Sequence, residues 1–335
     1  MVRPCVQTLP LSIAPMIDWT YNHFRVLMRL LAPNALLYTE MQTTGAVLHN
    51  PQRALSFQPQ EHPIALQLGG SDPSALAKCA VLAEDAGFDE INLNLGCPSD
   101  KVQAGRFGAC LMKEPLQVAA CIEAMKQSVS IPISAKIRIG IDHQDSYEFF
   151  SDFVQQLVDS GCQKLIVHAR KAWLHGLNPK QNRTIPPVHY DYVYNIKIKF
   201  PQLPVHINGN IISQAEVQTH LKRVDGVMLG RLACDNPFSI AKIHKALYPA
   251  ANELTRSQLV ATFLPYLFEE ANKGASPSLL VKPLFNLAFG LPGSRQWKQH
   301  LMTILQSKKL TYLNELVQYM ADIETQQETL VCLNA

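Results

Sequence analysis

Eight short apolar runs, most of them followed by a stretch of helical spacing, constrain this chain more than any other feature. The runs are LSIAPM (11–16), ALLYTE (35–40), PIALQLG (63–69), EINLNLG (90–96), ISAKIRIG (133–140), KLIVHAR (164–170), PVHINGN (204–210) and GVMLGR (226–231). Between most of them, apolar residues recur every three to four positions, over 20–32, 72–86, 114–128, 146–160, 213–223 and 236–247. Strands that alternate with helices require a parallel sheet, and eight such units predict a (β/α)8 TIM barrel in the α/β class. A doubly wound sheet is the alternative, but eight similar units beginning near residue 11 favour closure. Asp72 before SALAKCAVL and Ser213 with Glu216 are N-terminal caps, while Gly87 and Gly161 stand where two helices end. The stretch 41–62 has weak helix signals and is expected to be a long loop. Beyond about residue 248 the alternation stops and only helical spacing continues, so the expected domains are a barrel over 1–248 and a helical domain over 249–335.

Bulk properties narrow the classes. Of 335 residues, 47% are hydrophobic and 17% charged, which allows a large core. The N-terminus lacks the long apolar stretch of a signal peptide, and no run approaches the roughly 18 apolar residues of a membrane span. A cytoplasmic protein without membrane partner is expected. The eight cysteines (5, 79, 97, 110, 121, 162, 234 and 332) are scattered, several of them within apolar periodic stretches, and read as thiols rather than disulfides. Neither a C-x-x-C pair nor H-E-x-x-H is present, so no metal is expected. The net charge of +3 is uneven in its distribution. Residues 170–200 carry six basic residues (Arg170, Lys171, Lys180, Arg183, Lys197 and Lys199) against Asp191, and residues 273–309 carry six (Lys273, Lys282, Arg295, Lys298, Lys308 and Lys309) with no acid. Two such segments suit a polyanionic partner, or a solvated surface.

In a barrel of this kind the chemistry gathers where the strands finish. The C-terminal strand ends here carry Pro15 and Met16, Glu40, Gln67, Asn94 and Cys97, Lys136 and Arg138, His168 and Arg170, Asn208, and Gly230 with Arg231. Taken singly, each has a structural reading: His168 as a satisfied core histidine, Gln67 and Asn208 as partners of buried backbone, Glu40 as a loop cap. Lys136 is harder to explain that way, because a lysine pointing into the barrel needs an anion or a shifted pKa. Together they describe a site that hydrogen-bonds a flat polar ring. Gly209 and Gly230, in the loops after the last two strands, let backbone N–H groups approach a phosphate, with Arg231 adding charge. A flat ring with a phosphate points to flavin mononucleotide (FMN). Cys97 follows its strand at the C-terminal end, before Pro98 and a loop containing Gly105 and Gly108, whereas Cys110 comes after the bend and reads as packing.

The segments APMIDWT, QLGG, EINLNLGCPSDKVQAGRFGACLM, AKIRIG, VHARKAWLHGLNPKQNRTIPP, INGNI and MLGR resemble the tRNA-dihydrouridine synthases, in particular their A subfamily. The likeness runs through about residues 10–245 and continues in GLPGSRQWKQHL. It implies FMN as cofactor, NADPH or NADH as reductant, and reduction of the C5–C6 double bond of uridine in folded tRNA, at positions 20 and 20a of the D-loop. It further implies FMN contacts from Ala14, Pro15, Met16, Gln67, Lys136, His168, Asn208, Gly209, Asn210, Gly230 and Arg231, with Cys97 as the acid. Asn94 would help orient the base, Arg170 would lie on the substrate side, and Lys180, Arg183, Arg295 and Lys298 would grip the tRNA elbow. A monomer is expected. No dinucleotide fingerprint separates NADPH from NADH. An FMN barrel acting on a free pyrimidine, in the manner of dihydroorotate dehydrogenase, would share the flavin site but would not need the GLNPKQNR loop. A class I aldolase using Lys136 and a non-catalytic RNA-binding protein are the more distant alternatives.

Overall fold

In a computed structural model that describes residues 9–307 and 310–333, the apolar runs become strands. They are β1 (Leu11–Ile13), β2 (Leu36–Tyr38), β4 (Ile64–Gly69), β5 (Glu90–Leu95), β6 (Ile133–Arg138), β7 (Lys164–His168), β8 (Val205–Asn208) and β9 (Gly226–Leu229); a further two-residue strand, β3 (Gln42–Thr43), lies along β4. Cys5, Lys308, Lys309 and the extreme ends of both expected domains lie outside the described residues. All pairings are parallel, in the order β2-β1-β9-β8-β7-β6-β5-β4-β3, and β2 also pairs with β4, opposing Leu37 to Ile64 and Tyr38 to Ala65. That last pairing closes eight strands into the expected TIM barrel.

Successive strand residues face opposite ways. On one side, Ile91, Leu93 and Leu95 of β5 and Ile133, Ala135 and Ile137 of β6 are fully buried. On the barrel side, Leu9, Ala14, Leu36, Tyr38, Ala65, Ile166 and Met228 pack as one apolar cluster. The rest of the interior is polar. Glu90 and Lys164 form a fully buried ion pair. The Glu90 carboxylate also accepts hydrogen bonds from the Tyr38 hydroxyl at 2.7 Å and the Ser134 hydroxyl at 2.6 Å. Burial first, and then the charge of Glu90, raise the Tyr38 pKa well above its ordinary value, so the phenol remains a donor.

The helices follow their caps. Asp72 accepts the Ala75 N–H at 2.6 Å to start Pro73–Ala86, which Gly87 ends. Ser213 and Glu216 form a reciprocal capping box at the start of Gln214–Leu221. The stretch 41–62 departs from the expected loop. Besides β3 it holds the short helices Thr44–His49 and Pro51–Ala54, started by Thr43 accepting from Ala46 N–H (3.1 Å) and by Asn50 accepting from Arg53 N–H (3.2 Å). Only Val47 of these two helices is buried, so side-chain caps rather than an apolar stripe define them.

The residues fall into two compact units. One comprises the residues up to Asn22 together with Asn34–Gly230, and contains the barrel strands; the other comprises His23–Pro33 and the residues from Arg231 onward. Phe238–Leu247, counted above with the barrel, thus belongs to the helical unit. Within that unit Trp297 is fully buried and its indole N–H donates to the Leu284 carbonyl at 2.8 Å. The N-terminus of Arg256–Asn272 is held by Glu324, whose carboxylate accepts from the Arg256 and Ser257 N–H groups at 2.7 and 3.1 Å. Among the described residues no helix is long and apolar enough to cross a membrane.

The ion pair gives a stability prediction. Lys164→Met leaves the Glu90 carboxylate buried without its cation and should cost about 3–5 kcal/mol in urea denaturation. Glu90→Met/Lys164→Met removes both charges and should recover part of that loss, the remainder being the cost of the Tyr38 and Ser134 hydroxyls that lose their carboxylate acceptor.

Candidate active site

The polar strand ends converge at one mouth of the barrel. Register places Asn94 beside Lys136, Arg138 beside His168, and His168 beside Asn208. At the end of β5, Asn94 is nine-tenths buried, and its Oδ1 accepts the backbone N–H of Gly96 at 3.2 Å and of Cys97 at 3.0 Å. Asn94 Nδ2 donates to Gln67 Oε1 at 2.8 Å, so the amide of β4 is tied directly to the loop that carries the thiol. Cys97 is half-buried, with Ser99 Oγ 3.5 Å from its Sγ. The loop then closes on itself as the Ala109 N–H donates to the Cys97 carbonyl at 2.9 Å. Gly108 is required there: its φ is +77°, and a Cβ would stand 2.6 Å from the Cys97 carbonyl oxygen. Cys110 is bonded to the Phe107 carbonyl at 3.1 Å, and burial followed by Glu114 raises its pKa, so its thiol is both tethered and hard to ionise.

Lys136 Nζ donates to Asn208 Oδ1 at 3.1 Å, and Asn208 Nδ2 donates to the Met228 carbonyl at 2.8 Å. Beyond β8 the chain turns through Gly209 (φ +124°) and Asn210 (φ +54°). A Cβ on Gly209 would fall 2.8 Å from the His168 ring, so glycine there makes room for the imidazole. A Cβ on Gly230 would lie 3.7 Å from Ala14 Cβ and 3.8 Å from Met16 Sδ, which brings three of the predicted cofactor residues to one place. Next to them is Pro15, half-buried, and the Met16 turn is pinned by its N–H donating to Thr20 Oγ1 at 2.9 Å. Arg231 opens the short helix Arg231–Asp235 and falls in the other unit.

A second loop, 171–183, stands beside the thiol loop. Asn182, fully buried, accepts the Trp173 N–H at 2.8 Å and donates to the Trp173 and Leu177 carbonyls. Arg138 joins the two loops: its guanidinium donates to Gly96 O at 3.2 Å, to Lys171 O at 3.3 Å and to Asn182 O at 3.0 Å. Arg170 is buried and donates to the Pro186 carbonyl. The basic segments prove thinner than they read in sequence. Lys171 pairs with Asp145, Lys197 with Asp225, and Lys273 with Glu269 and Glu270. Lys180 and Arg183 remain exposed on the second loop. In the helical unit Arg295 and Lys298 are exposed on Ser294–Ser307, lining a surface depression with Gln299, Met302 and Gln306. Among the described residues no group of three potential metal ligands comes together.

A family model described as dihydrouridine synthase (Dus) matches residues 12–325. The chain belongs to the dihydrouridine synthase family. Among curated relatives named tRNA-dihydrouridine(20/20a) synthase, that of Shewanella oneidensis is 51% identical over 291 residues, covering 87% of each chain. Those of Yersinia pestis and Synechocystis are each 50% identical, covering 87% of this chain and 85% and 88% of theirs. A solved complex of 2-naphthoyl-CoA reductase with 2-naphthoyl-CoA has a TM-score of 0.53 at 10% identity, covering 71% of this chain and 50% of that one; at this distance the likeness is one of fold.

The barrel wall around half-buried Lys136 desolvates its ammonium. That burial, reinforced by Arg138 and opposed by Cys97, lowers its pKa to about 7. Among the described residues no carboxylate pairs with it. Reading the sequence by strand ends missed Glu90, Asn92, Ser134 and Lys164, which lie deeper in the barrel; the polar period of two in EINLN and ISAKIR is the signal that reveals the first three, while Lys164, followed by apolar Ile166 on the same face, has no such signal.

The lowered pKa has a checkable sign. Between pH about 7 and the ordinary lysine value of about 10.4, the unfolded chain holds a proton at Lys136 that the folded chain has released. The penalty for burying the charge is full below that window and disappears as pH rises through it. In the flavin-free protein, NMR of 13C-labelled lysine should show Lys136 titrating at about 7, and Arg138→Met should move it upward. An ordinary lysine titration in the parent protein would contradict this.

Proposed function

We propose that this chain reduces the C5–C6 double bond of uridine in tRNA to 5,6-dihydrouridine, using FMN and NADPH or NADH, at positions 20 and 20a of the D-loop. The observation that supports it best is a half-buried thiol, Cys97, held by Asn94 at the same strand end as an unpaired cation, Lys136, in a chain of this family. The curated relatives carry the specific name tRNA-dihydrouridine(20/20a) synthase, which supports both the tRNA substrate and the positions.

The residues present fit FMN. Among the described residues Lys136 donates to the neutral Asn208 amide and pairs with no carboxylate, so its charge is available to an anionic ring. Ala14, Pro15, Met16, Gln67, His168, Asn208, Gly209, Asn210 and Gly230 would line the cofactor, with Arg231 contributing through its adjacency to Gly230. When bound, reduced flavin supplies the hydride for C6 of the uracil. The charge that then develops on C5 and O4 is quenched by the Cys97 proton moving to C5, and the resulting thiolate regains a proton from solvent. Lys136 stabilises negative charge on the ring it faces, and Asn94 orients the base. Reaching the thiol requires the uridine to leave its stack, at a cost of a few kcal/mol, which favours an exposed loop nucleotide. Lys180, Arg183, Arg295 and Lys298 supply phosphate contacts at the tRNA elbow, with Arg170 on the substrate side. The enzyme acts in the cytoplasm as a monomer. A lysine with a pKa of about 7 also suits Schiff-base chemistry, but the aldolase reading gives no role to Cys97 or its loop.

Half-reactions test the acid. Cys97→Ala should bind FMN and be reduced by NADPH as the parent is, yet reoxidise with unmodified tRNA about 10²–10⁴-fold more slowly in single-turnover absorbance. Cys110→Ala should lose stability and keep its reoxidation rate. If the two variants behave the other way round, the assignment is reversed.

Arg183→Ala and Arg295→Ala should each weaken tRNA binding across tRNA species and lower the salt slope by about one unit, with FMN absorbance unchanged. Normal binding by both would rule out this footprint. Cells lacking the protein should lose dihydrouridine at positions 20 and 20a, and loss confined to positions 16 or 17 would reject the position.

A further inference from the structure

Beneath Cys97 runs a line of buried side chains whose polarity is fixed at both ends. At the barrel floor a carboxylate can only accept, and Glu90 Oε1 takes the Ser134 hydroxyl proton at 2.6 Å. Ser134 has no second proton, so it must accept from above, and Asn92 turns Nδ2 toward it at 2.8 Å. Asn92 Oδ1 then faces Gln67, which must present Nε2, at 2.7 Å. Gln67 Oε1 is left for Asn94 Nδ2 at 2.8 Å. Asn94 Oδ1 is left in turn for the backbone N–H groups of Gly96 and Cys97, which can only donate. Reading from either end gives the same orientation for all three amides. Turning any one of them would set donor against donor and acceptor against acceptor in a region where Glu90, Asn92 and Ser134 are wholly buried.

We propose that Glu90, held at the floor by Lys164 and Tyr38, is a positioning residue for Cys97, acting through Ser134, Asn92, Gln67 and Asn94. This rests on the reading of Cys97 as the proton donor. Each donor in the line points toward the floor carboxylate, so each acceptor above it is made stronger, and the last of these acceptors holds the two peptide N–H groups that place the thiol. The same constraint decides which end of the Gln67 amide is committed to Asn92 and which to Asn94, and so sets the hydrogen-bonding face of β4 at the barrel mouth.

Ser134→Ala cuts the line above the ion pair. Hydrogen–deuterium exchange at the Gly96 and Cys97 amides should rise by about tenfold, with exchange in β7 and β8 unchanged. Alkylation of Cys97 by iodoacetamide, followed by peptide mass, should accelerate. Reoxidation of the reduced enzyme by tRNA should slow by about tenfold, with reduction by NADPH as in the parent. Two floor variants separate position from packing. Glu90→Gln/Lys164→Met keeps an acceptor for Ser134 and should keep the protection of Gly96 and Cys97, whereas Glu90→Met/Lys164→Met should lose it. Unchanged exchange at Gly96 and Cys97 in Ser134→Ala, equal protection in the two double variants, loss spread evenly over the barrel, or failure of Ser134→Ala to fold would each overturn the proposal. Normal reoxidation of Cys97→Ala would overturn the proton-donor reading alone and leave the exchange result standing.

Discussion

A carboxylate sealed inside a barrel must be met by a cation and by a donor for its remaining lone pairs, and that requirement organises this interior. Glu90 on β5 is answered by Lys164 on β7, by Ser134 on the intervening β6, and by Tyr38 from β2 across the barrel. Such a pair adds little net stability over an apolar filling of the same volume, because both ions lose their hydration. What it brings is direction. An apolar floor would leave the orientation of the amides above it to be set from the loop end alone, whereas a charged floor sets the same orientation from below as well.

The two inward lysines show how differently one side chain can be used. Lys164 is wholly buried and compensated by a carboxylate. Lys136, on the neighbouring strand and nearer the mouth, has a neutral amide for its partner and a guanidinium nearby, so its charge is barely tolerated at neutral pH. The first lysine completes the structure of the barrel floor. The second leaves an electrostatic need at the mouth, the one that an anionic ring would meet in the proposed function.

Much of this was legible in the sequence, for reasons that differ by element. The eight barrel strands could be read because each is a short apolar run set off by helical spacing, and the caps at Asp72 and Ser213 because their oxygen sits one residue before a periodic stretch. The strand-end residues from Gln67 to Gly230 could be nominated because a parallel barrel gathers them at one mouth. The segment 41–62 could not be read, since Thr43 and Asn50 organise it through local caps that leave almost no periodic trace. Nor could the reach of the basic segments. Asp145 and Asp225 lie outside the stretch in which the lysines were counted, and only the folded chain brings them to Lys171 and Lys197. Glu90 and Lys164 each sit at the first position of a strand, away from the C-terminal ends where the chemistry was sought, and so were passed over.

Arg138 has a consequence for motion. Burial lowers its pKa to about 9, so its guanidinium is still charged at neutral pH, and it reaches the backbone of the thiol loop at Gly96 and of the outer loop at Lys171 and Asn182. Together with the Gln103 amide, which donates to Pro98 O at 2.9 Å and to Leu174 O at 2.7 Å, it couples two surface loops through two planar groups, as two doors are by a pair of bolts. Neither loop can therefore shift far without breaking hydrogen bonds to the other.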